Sequence, residues 1–304
     1  MASDSRVWLV TGSSQGLGRA LVEAILAAGE KVVATARNTA SLQPLTSQYP
    51  SNQLLVAELD VTNQKHIECA FEATKEHFGR LDVIVNNAGY GLSSEIETAP
   101  DEEARKQIEV LFWGPVNICK KAIPFFRDVN PPGVGGHILN IASIGGYQGG
   151  ASLAFYSAGK FALEGFTESL AREMLPEWNI KATIVEPGGF QTAWARSSLV
   201  ELPSLPVYKQ EHAPSEQMRR VRNPDMFIGD PAKAAQALLK IAGRKDLPIR
   251  IQLGTDSVFM VRSKAQRTLN DTLNPEWEAL AHSTNRDGVD KDKVLEMFKA
   301  AVIE

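Results

Sequence analysis

Tyr156 and Lys160, in Tyr156-Ser157-Ala158-Gly159-Lys160, are the residues of this chain best suited to moving a proton. They fall in a helical pattern, where a spacing of four puts both side chains on one face, one turn apart. A phenol titrates near pH ~10, too high for efficient acid–base work near neutrality. A neighbouring ammonium favours the phenolate and pulls that value down. Such a pair can give a proton to a carbonyl oxygen, or take one from an alcohol, while a hydride moves at carbon. Ser143 stands 13 residues before Tyr156, in Asn140-Ile141-Ala142-Ser143. Its hydroxyl can polarise the same carbonyl oxygen and stabilise charge developing there. Alone, a YxxxK pair recurs by chance and reads equally as a helix-surface pair, and a lone serine reads as a cap or turn residue.

A hydride needs a carrier, and the start of the chain offers a cradle for one. The first β-like run ends in Thr11-Gly12-Ser13-Ser14-Gln15-Gly16-Leu17-Gly18, and a helical pattern follows at once. Gly12 permits a tight turn, Gly16 lets the backbone approach a pyrophosphate, and Gly18 allows close helix–strand contact. The helix N-terminus then presents free N–H groups and positive dipole charge to an anion. The cradle would comprise Gly12, Ser14, Gln15, Gly16, Leu17 and Gly18.

Opened by threonine and spaced GxxxGxG, this loop resembles that of the short-chain dehydrogenase/reductase family. Asp60-Val61, Asn86-Asn87-Ala88-Gly89, Ser143, Tyr156/Lys160 and Glu186-Pro187-Gly188-Gly189-Phe190-Gln191-Thr192 match the family's further motifs, in order, over residues 11–192. The resemblance implies that Asp60 and Val61 hold adenine and that Asn87, Ala88 and Gly89 let the chain pass close to the dinucleotide. It also implies that Pro187, Gly188, Phe190 and Thr192 hold the nicotinamide carboxamide, while Tyr156 and Lys160 touch cofactor as well as substrate. Family members that use NAD usually carry Asp at the end of the second strand. This chain has Ala36 there, then Arg37 and Asn38, and a guanidinium can pair with a 2′-phosphate in fork geometry. The expected cofactor is therefore NADP(H), although Gln15 stands where many NADP members have a basic residue. The style of the PG segment and the long tail resemble the branch that holds retinol and 17β-hydroxysteroid dehydrogenases.

One position departs from the pattern. Many members carry Asn after NNAG in an NxxG motif, where it opens the helix for a water that links Lys to solvent. Leu111 takes that place in Leu111-Phe112-Trp113-Gly114. Either the proton path is rerouted and the enzyme works, or proton transfer is impaired and the chemistry is unusual. The leading reading is an NADPH-dependent carbonyl reductase or alcohol dehydrogenase for a mostly apolar small molecule. An isomerase or cyclase is a second reading, prompted by Leu111. A non-catalytic dinucleotide sensor is a third, against which the intact Tyr156/Lys160 pair argues. Candidate pocket residues are Tyr147, Phe155, Phe190, Trp194 and Met218.

The elements that must position these residues alternate. Strands are predicted at 7–11, 31–36, 54–58, 81–86, 137–141 and 180–186, with helices at 16–28, 64–78, 101–127 and 154–175 between them. That alternation implies βαβ units. The expected fold is α/β: a single Rossmann-type doubly wound parallel sheet with helices on both faces, in one domain over 1–304. Residues 193–229 carry no clear strand and read as a helical lid. A helix at 231–242 with Asp230 as N-cap and a strand at 249–253 follow, and 256–304 reads as a helical C-terminal extension.

Composition excludes several classes. The 304 residues are 43% hydrophobic and carry a net charge of −4, without the clustered Lys and Arg of a nucleic-acid surface. Arg219, Arg220 and Arg222 read as a solvated helix face. Cys69 and Cys119 read as buried free thiols, and the five histidines (His66, His77, His137, His212, His282) show no metal-ligand spacing. No apolar run approaches the ~18 residues of a membrane span. The N-terminal residues lack the basic start and long apolar core of a signal peptide, so a cytoplasmic protein is expected. Helices 101–127 and 154–175 resemble those that pair across a two-fold in the family, which implies a homodimer or homotetramer.

Overall fold

The computed structural model describes residues 5–301 except 193, 195, 196 and 223–225. Seven strands form one parallel sheet. They are β1 (Val7–Val10), β2 (Lys31–Ala36), β3 (Leu54–Glu58), β4 (Val83–Asn86), β6 (Gly136–Ile141), β7 (Ile180–Pro187) and β9 (Arg250–Leu253). Their order is β3-β2-β1-β4-β6-β7-β9. Two short strands, β5 (Gly91–Ser93) and β8 (Leu199–Glu201), pair in parallel beside it. The fold is the expected doubly wound α/β sheet, and the crevice of such a sheet opens where β1 meets β4.

Alternation along β1 shows why both faces are covered. Trp8 and Val10 point into one core, Val7 and Leu9 into the other, and all four are fully buried. The first core lies under α1 (Gly16–Ala27), α2 (Gln43–Thr46) and α9 (Pro231–Ala242), through Leu21, Ile25, Leu45 and Leu238. The second lies under α3 (Gln64–Phe78), α5 (Gly114–Pro124) and α7 (Ala154–Glu173), through Ile67, Phe71, Ile118 and Leu170. Strands buried on both sides have no polar face, and this is why they read as near-continuous apolar runs.

Four local expectations change. The helix expected over 101–127 is α4 (Asp101–Ile108), a π-turn at Glu109–Trp113, α5, and a second wide turn at Phe125–Val129. Residues 193–229 do contain a strand, β8, together with α8 (Pro214–Val221). Apolar periodicity cannot announce a three-residue strand whose partner is equally short. Cys69 is exposed and only Cys119 is buried, because α3 buries the face of Ile67, Ala70, Phe71 and Thr74. Lastly, of the three expected surface arginines only Arg220 is exposed. Arg219 pairs with the buried Glu95 at 2.8 Å, and buried Arg222 donates to Ser93 Oγ and Ser152 Oγ at 2.9 and 3.1 Å. These bonds fasten α8 onto β5 and onto the turn that leads into α7.

Asp230 caps α9 as expected, accepting from the Ala232 and Lys233 amides. By contacts, Met1–Met260 and Val261–Glu304 are two compact units. The first holds the sheet and both cores. The second is helical, from within α10 (Thr255–Thr272) through α11 (Pro275–Ser283) and α12 (Lys291–Ala301). Among the described residues no helix is long and apolar enough to cross a membrane.

A threonine hydroxyl closes the crevice. Buried Thr11 Oγ1 accepts from the Asn87 and Ala88 amides, each at 2.9 Å. Asn87 Nδ2 returns the contact, donating to the Thr11 and Gly12 carbonyls at 2.9 and 3.2 Å. Removing an acceptor strands a buried donor at a cost of ~1–3 kcal/mol. Thr11→Val, which keeps the shape and removes the acceptor, should lower the urea unfolding free energy by about 2 kcal/mol or more. An unchanged midpoint would show that the staple is dispensable.

Candidate active site

The glycine loop has the backbone that its sequence implies. Gly12 and Gly16 sit at φ +68° and +60°, the left-handed region that glycine alone adopts freely. At Gly18 there is no room for a side chain: a Cβ would lie 2.4 Å from the Gly12 carbonyl oxygen and 2.5 Å from Asn87 Nδ2. Gln15, the N-cap of α1, makes no side-chain capping bond; its Nε2 reaches Ser198 Oγ at 2.8 Å instead. The first turn of α1 carries no acid. The helix end therefore keeps its amides and its positive potential for an anion. Ser14 is exposed, and Leu17 packs partly against the first core.

Adjacent strand ends place the other expected cofactor residues. Arg37 is exposed at the end of β2, close enough for its charge to act on Asp60 and Tyr90. Burial raises the Asp60 carboxyl, but bonds from Thr62 and the charges of Arg37 and His66 hold it below the usual range. Asn38 is committed locally, accepting from the Ala40 amide. Val61 packs where a Gly114 side chain would be, 2.7 Å from that built Cβ. On the far side, Thr192 lies over the glycine loop, with its Cβ 3.4 Å from the position a Gly16 side chain would take. Pro187 ends β7, and Phe190 packs on Gly229. Sequence reasoning missed Asp256: it accepts from the Gly189 amide at 2.6 Å and fills the space beside Gly188. Among the described residues no cluster of three or more His, Cys, Asp or Glu could hold a metal.

Ser143, Tyr156 and Lys160 converge where β6 ends and α7 begins. Ser143 caps α6 (Ile144–Tyr147), its Oγ accepting from the Gly145 amide at 3.0 Å. Gly145 has no side chain because one would lie 2.9 Å from the Tyr156 ring. Tyr156 is 8% exposed, and the Trp194 ring tilts against it at 5.5 Å. Burial pushes the Tyr156 phenol up to about 12, against a lowering bond from Ser143. The expected depression by Lys160 is not what this geometry yields. Lys160 Nζ stands 6.0 Å from the ring centroid and donates to the Ile141 carbonyl at 2.6 Å. Burial also drives Lys160 down to about 8, weakening the charge it was expected to lend.

Of the other expected pocket residues, Met218 lies 3.4 Å from the place of a Gly150 side chain. Phe155 is half-buried. Tyr147 faces elsewhere, its ring 5.6 Å from the Arg250 guanidinium. Leu111 is buried in the π-turn, and a Cβ on Gly89 would meet Leu111 Cδ2 at 2.9 Å and Lys160 Nζ at 3.9 Å. The helix is thus locally widened here with leucine in the Asn position, and the leucine fills the space with hydrocarbon.

The short chain dehydrogenase family model matches residues 6–201. The chain belongs to the short-chain dehydrogenase/reductase family. An uncharacterized oxidoreductase of Schizosaccharomyces pombe is 38% identical over 97% of both chains. A 3-ketodihydrosphingosine reductase of Bacteroides thetaiotaomicron is 34% identical, covering 88% of this chain and 94% of its own. A short-chain dehydrogenase from Streptomyces avermitilis superposes with a TM-score of 0.83 at 35% identity, covering 94% of this chain and all of its own. Like these relatives, this short-chain dehydrogenase/reductase is an oxidoreductase.

Burying the Lys160 ammonium costs stability, and the sign can be followed with pH. From pH ~8 to ~10.5 the unfolded chain holds a proton here that the native state has shed, so this group's contribution to stability rises with pH. Below pH ~8 both states hold it and the full penalty stands. Lys160→Met should therefore stabilise the protein at pH 7 by roughly 2 kcal/mol after the lost bond to Ile141 is counted. The gain should shrink as pH rises towards 10 in denaturant titrations. A destabilised variant would contradict the burial penalty.

Proposed function

We propose that the protein is an NADP(H)-dependent reductase of an apolar ketone or aldehyde, with Tyr156 as general acid, Lys160 beside it and Ser143 orienting the carbonyl. The observation that carries this reading is the buried Tyr156 between Ser143, Lys160 and Trp194. A phenol held neutral suits donation to an oxygen that becomes strongly basic as it is reduced. Ser143 would turn its hydroxyl from Tyr156 to the same oxygen, and Trp194 would keep water from the face of the ring. When bound, the nicotinamide supplies the hydride. Gly12, Ser14, Gln15, Gly16, Leu17 and Gly18 would hold its pyrophosphate, Asp60, Val61, Asn87, Ala88 and Gly89 its adenosine half, and Pro187, Gly188, Phe190 and Thr192 its carboxamide. Arg37, exposed beside that adenosine end, would take a 2′-phosphate, with Asn38 next to it. A relative named for reduction of a ketone supports the direction. The aromatic and thioether surface of Trp194 and Met218 supports an apolar substrate.

A panel of apolar ketones, aldehydes and diketones with NADPH tests this, read as loss of the reduced-nicotinamide absorbance. Turnover is expected with at least one class, and Tyr156→Phe should cut it by ~10²–10⁴-fold while leaving NADPH affinity within a few-fold. Arg37→Ala should weaken NADPH by about tenfold or more and leave NADH nearly unchanged. No oxidation with any carbonyl despite tight NADPH binding would overturn the reading.

Trp113 and Phe161, exposed on the π-turn and on α7, would form the face of a homodimer or homotetramer. Light scattering should give the mass of two or four chains. A monomer at micromolar concentration would remove the assembly from the reading.

A further inference from the structure

Behind Lys160 lies a cluster of acids that the proposed reaction does not use. Glu164 follows Lys160 by one helical turn on α7 and is 3% exposed. Its Oε2 meets Arg250 Nη1 at 2.5 Å, and the same nitrogen lies 3.2 Å from Glu186 Oε1. Glu186, on β7, is fully buried and also accepts from Gln252 Nε2 at 2.6 Å. Arg250, on β9, reaches outward to the partly exposed Glu168 at 2.7 Å and over the Tyr147 ring of α6. Two buried carboxyls therefore share one guanidinium nitrogen. Like charges this close cannot both ionise cheaply, which disfavours the charged form of Glu164. Burial and Glu186 push the Glu164 carboxyl well above the usual range.

Glu164 Oε1 is buried with no hydrogen-bond partner among the described residues. It borders Gly146, where a Cβ would lie 2.3 Å from it and 3.1 Å from Lys160 Cβ. An unpartnered buried oxygen is costly, and its place beside the lysine stem calls for a reason. Leu111 gives one, since it closes the Gly89 side of Lys160 with hydrocarbon.

We propose that Glu164 is a positioning residue for the proton step: from one turn behind Lys160 it keeps that side chain charged. This rests on the acid–base reading of Tyr156 and Lys160. Tyr156 gives its phenolic proton to the substrate oxygen, and the Lys160 ammonium reprotonates the phenolate. Solvent then returns a proton to the Lys160 amine, which the negative charge of Glu164 favours. One solvent proton is consumed per carbonyl reduced.

The test is a pH titration of the protein labelled with ¹³Cε lysine, without substrate. Lys160 is identified as the signal lost in Lys160→Arg. Glu164→Gln, which keeps an acceptor for Arg250, should move the Lys160 midpoint down by about half a pH unit or more. Glu186→Gln leaves Glu164 alone on Arg250 and therefore more ionised, so it should move the midpoint up. Midpoints unmoved in both variants, or moved the same way, would overturn the proposal; if Glu164→Gln does not fold, Glu186→Gln decides it. With any ketone that is turned over, the alkaline limb of kcat should follow the same shift and return in Glu164→Asp. A lower rate with an unmoved limb would mean a structural role only. Because the titration needs no turnover, a protein that reduces no carbonyl would fail the functional reading without deciding this one.

Discussion

A lysine ammonium held in an apolar interior is the constraint on which the rest of the site depends. Burying a charge is expensive unless it is bonded and paired, and Lys160 is 5% exposed. The Ile141 carbonyl offsets part of that cost, and the carboxyl of Glu164 acts from one turn further along. Both must be placed accurately, and the placement comes from the sheet. Ile141 is the last residue of β6, and α7 is fixed over that strand by buried polar side chains. Asn86 donates to Asn140 at 2.7 Å, and Asn140 donates to Thr167 on α7 at 2.8 Å. This chain of amides ties β4, β6 and α7 into one unit that carries Tyr156 and Lys160.

The glycine-loop end depends on backbone rather than on side chains. Thr11, Asn87 and Ala88 clamp the end of β1 to the end of β4, and Gly12, Gly16 and Gly18 leave the space that the clamp creates. Gly89 belongs to both ends, because it borders Leu111 and the Lys160 ammonium. A shift at the clamp would therefore be felt at Lys160. The arginines of α8 close the third side. Arg219 and Arg222 tie residues 214–222 to Glu95, Ser93 and Ser152, and Ser152 leads directly into the helix of Tyr156.

Much of this was legible in the sequence because it follows from local chemistry. Glycines at a strand-to-helix turn, a YxxxK spacing and apolar runs buried on both faces each have one economical structural meaning. Legibility failed where meaning comes from distant partners. Glu164 reads as an ordinary helix glutamate until β7 and β9 bring Glu186 and Arg250 to it. Arg222 reads as solvated until Ser93 and Ser152 meet it across 129 and 70 residues of chain. Asp256 carries no local signal either, because its role is to accept from Gly189 in a different loop. The titration of Tyr156 is hidden from the sequence for a related reason. Spacing reveals that Lys160 is near, but only packing reveals that both groups are dry.

The central claim is that this chain delivers a hydride and a proton to the two ends of one carbonyl. Reduction of a ketone with NADPH deuterated at the transferring position of the nicotinamide tests it most directly. The expected product is an alcohol with one deuterium on the carbinol carbon and none exchanged with water. An unlabelled product, or an isomer formed without oxidation of the nucleotide, would contradict the account.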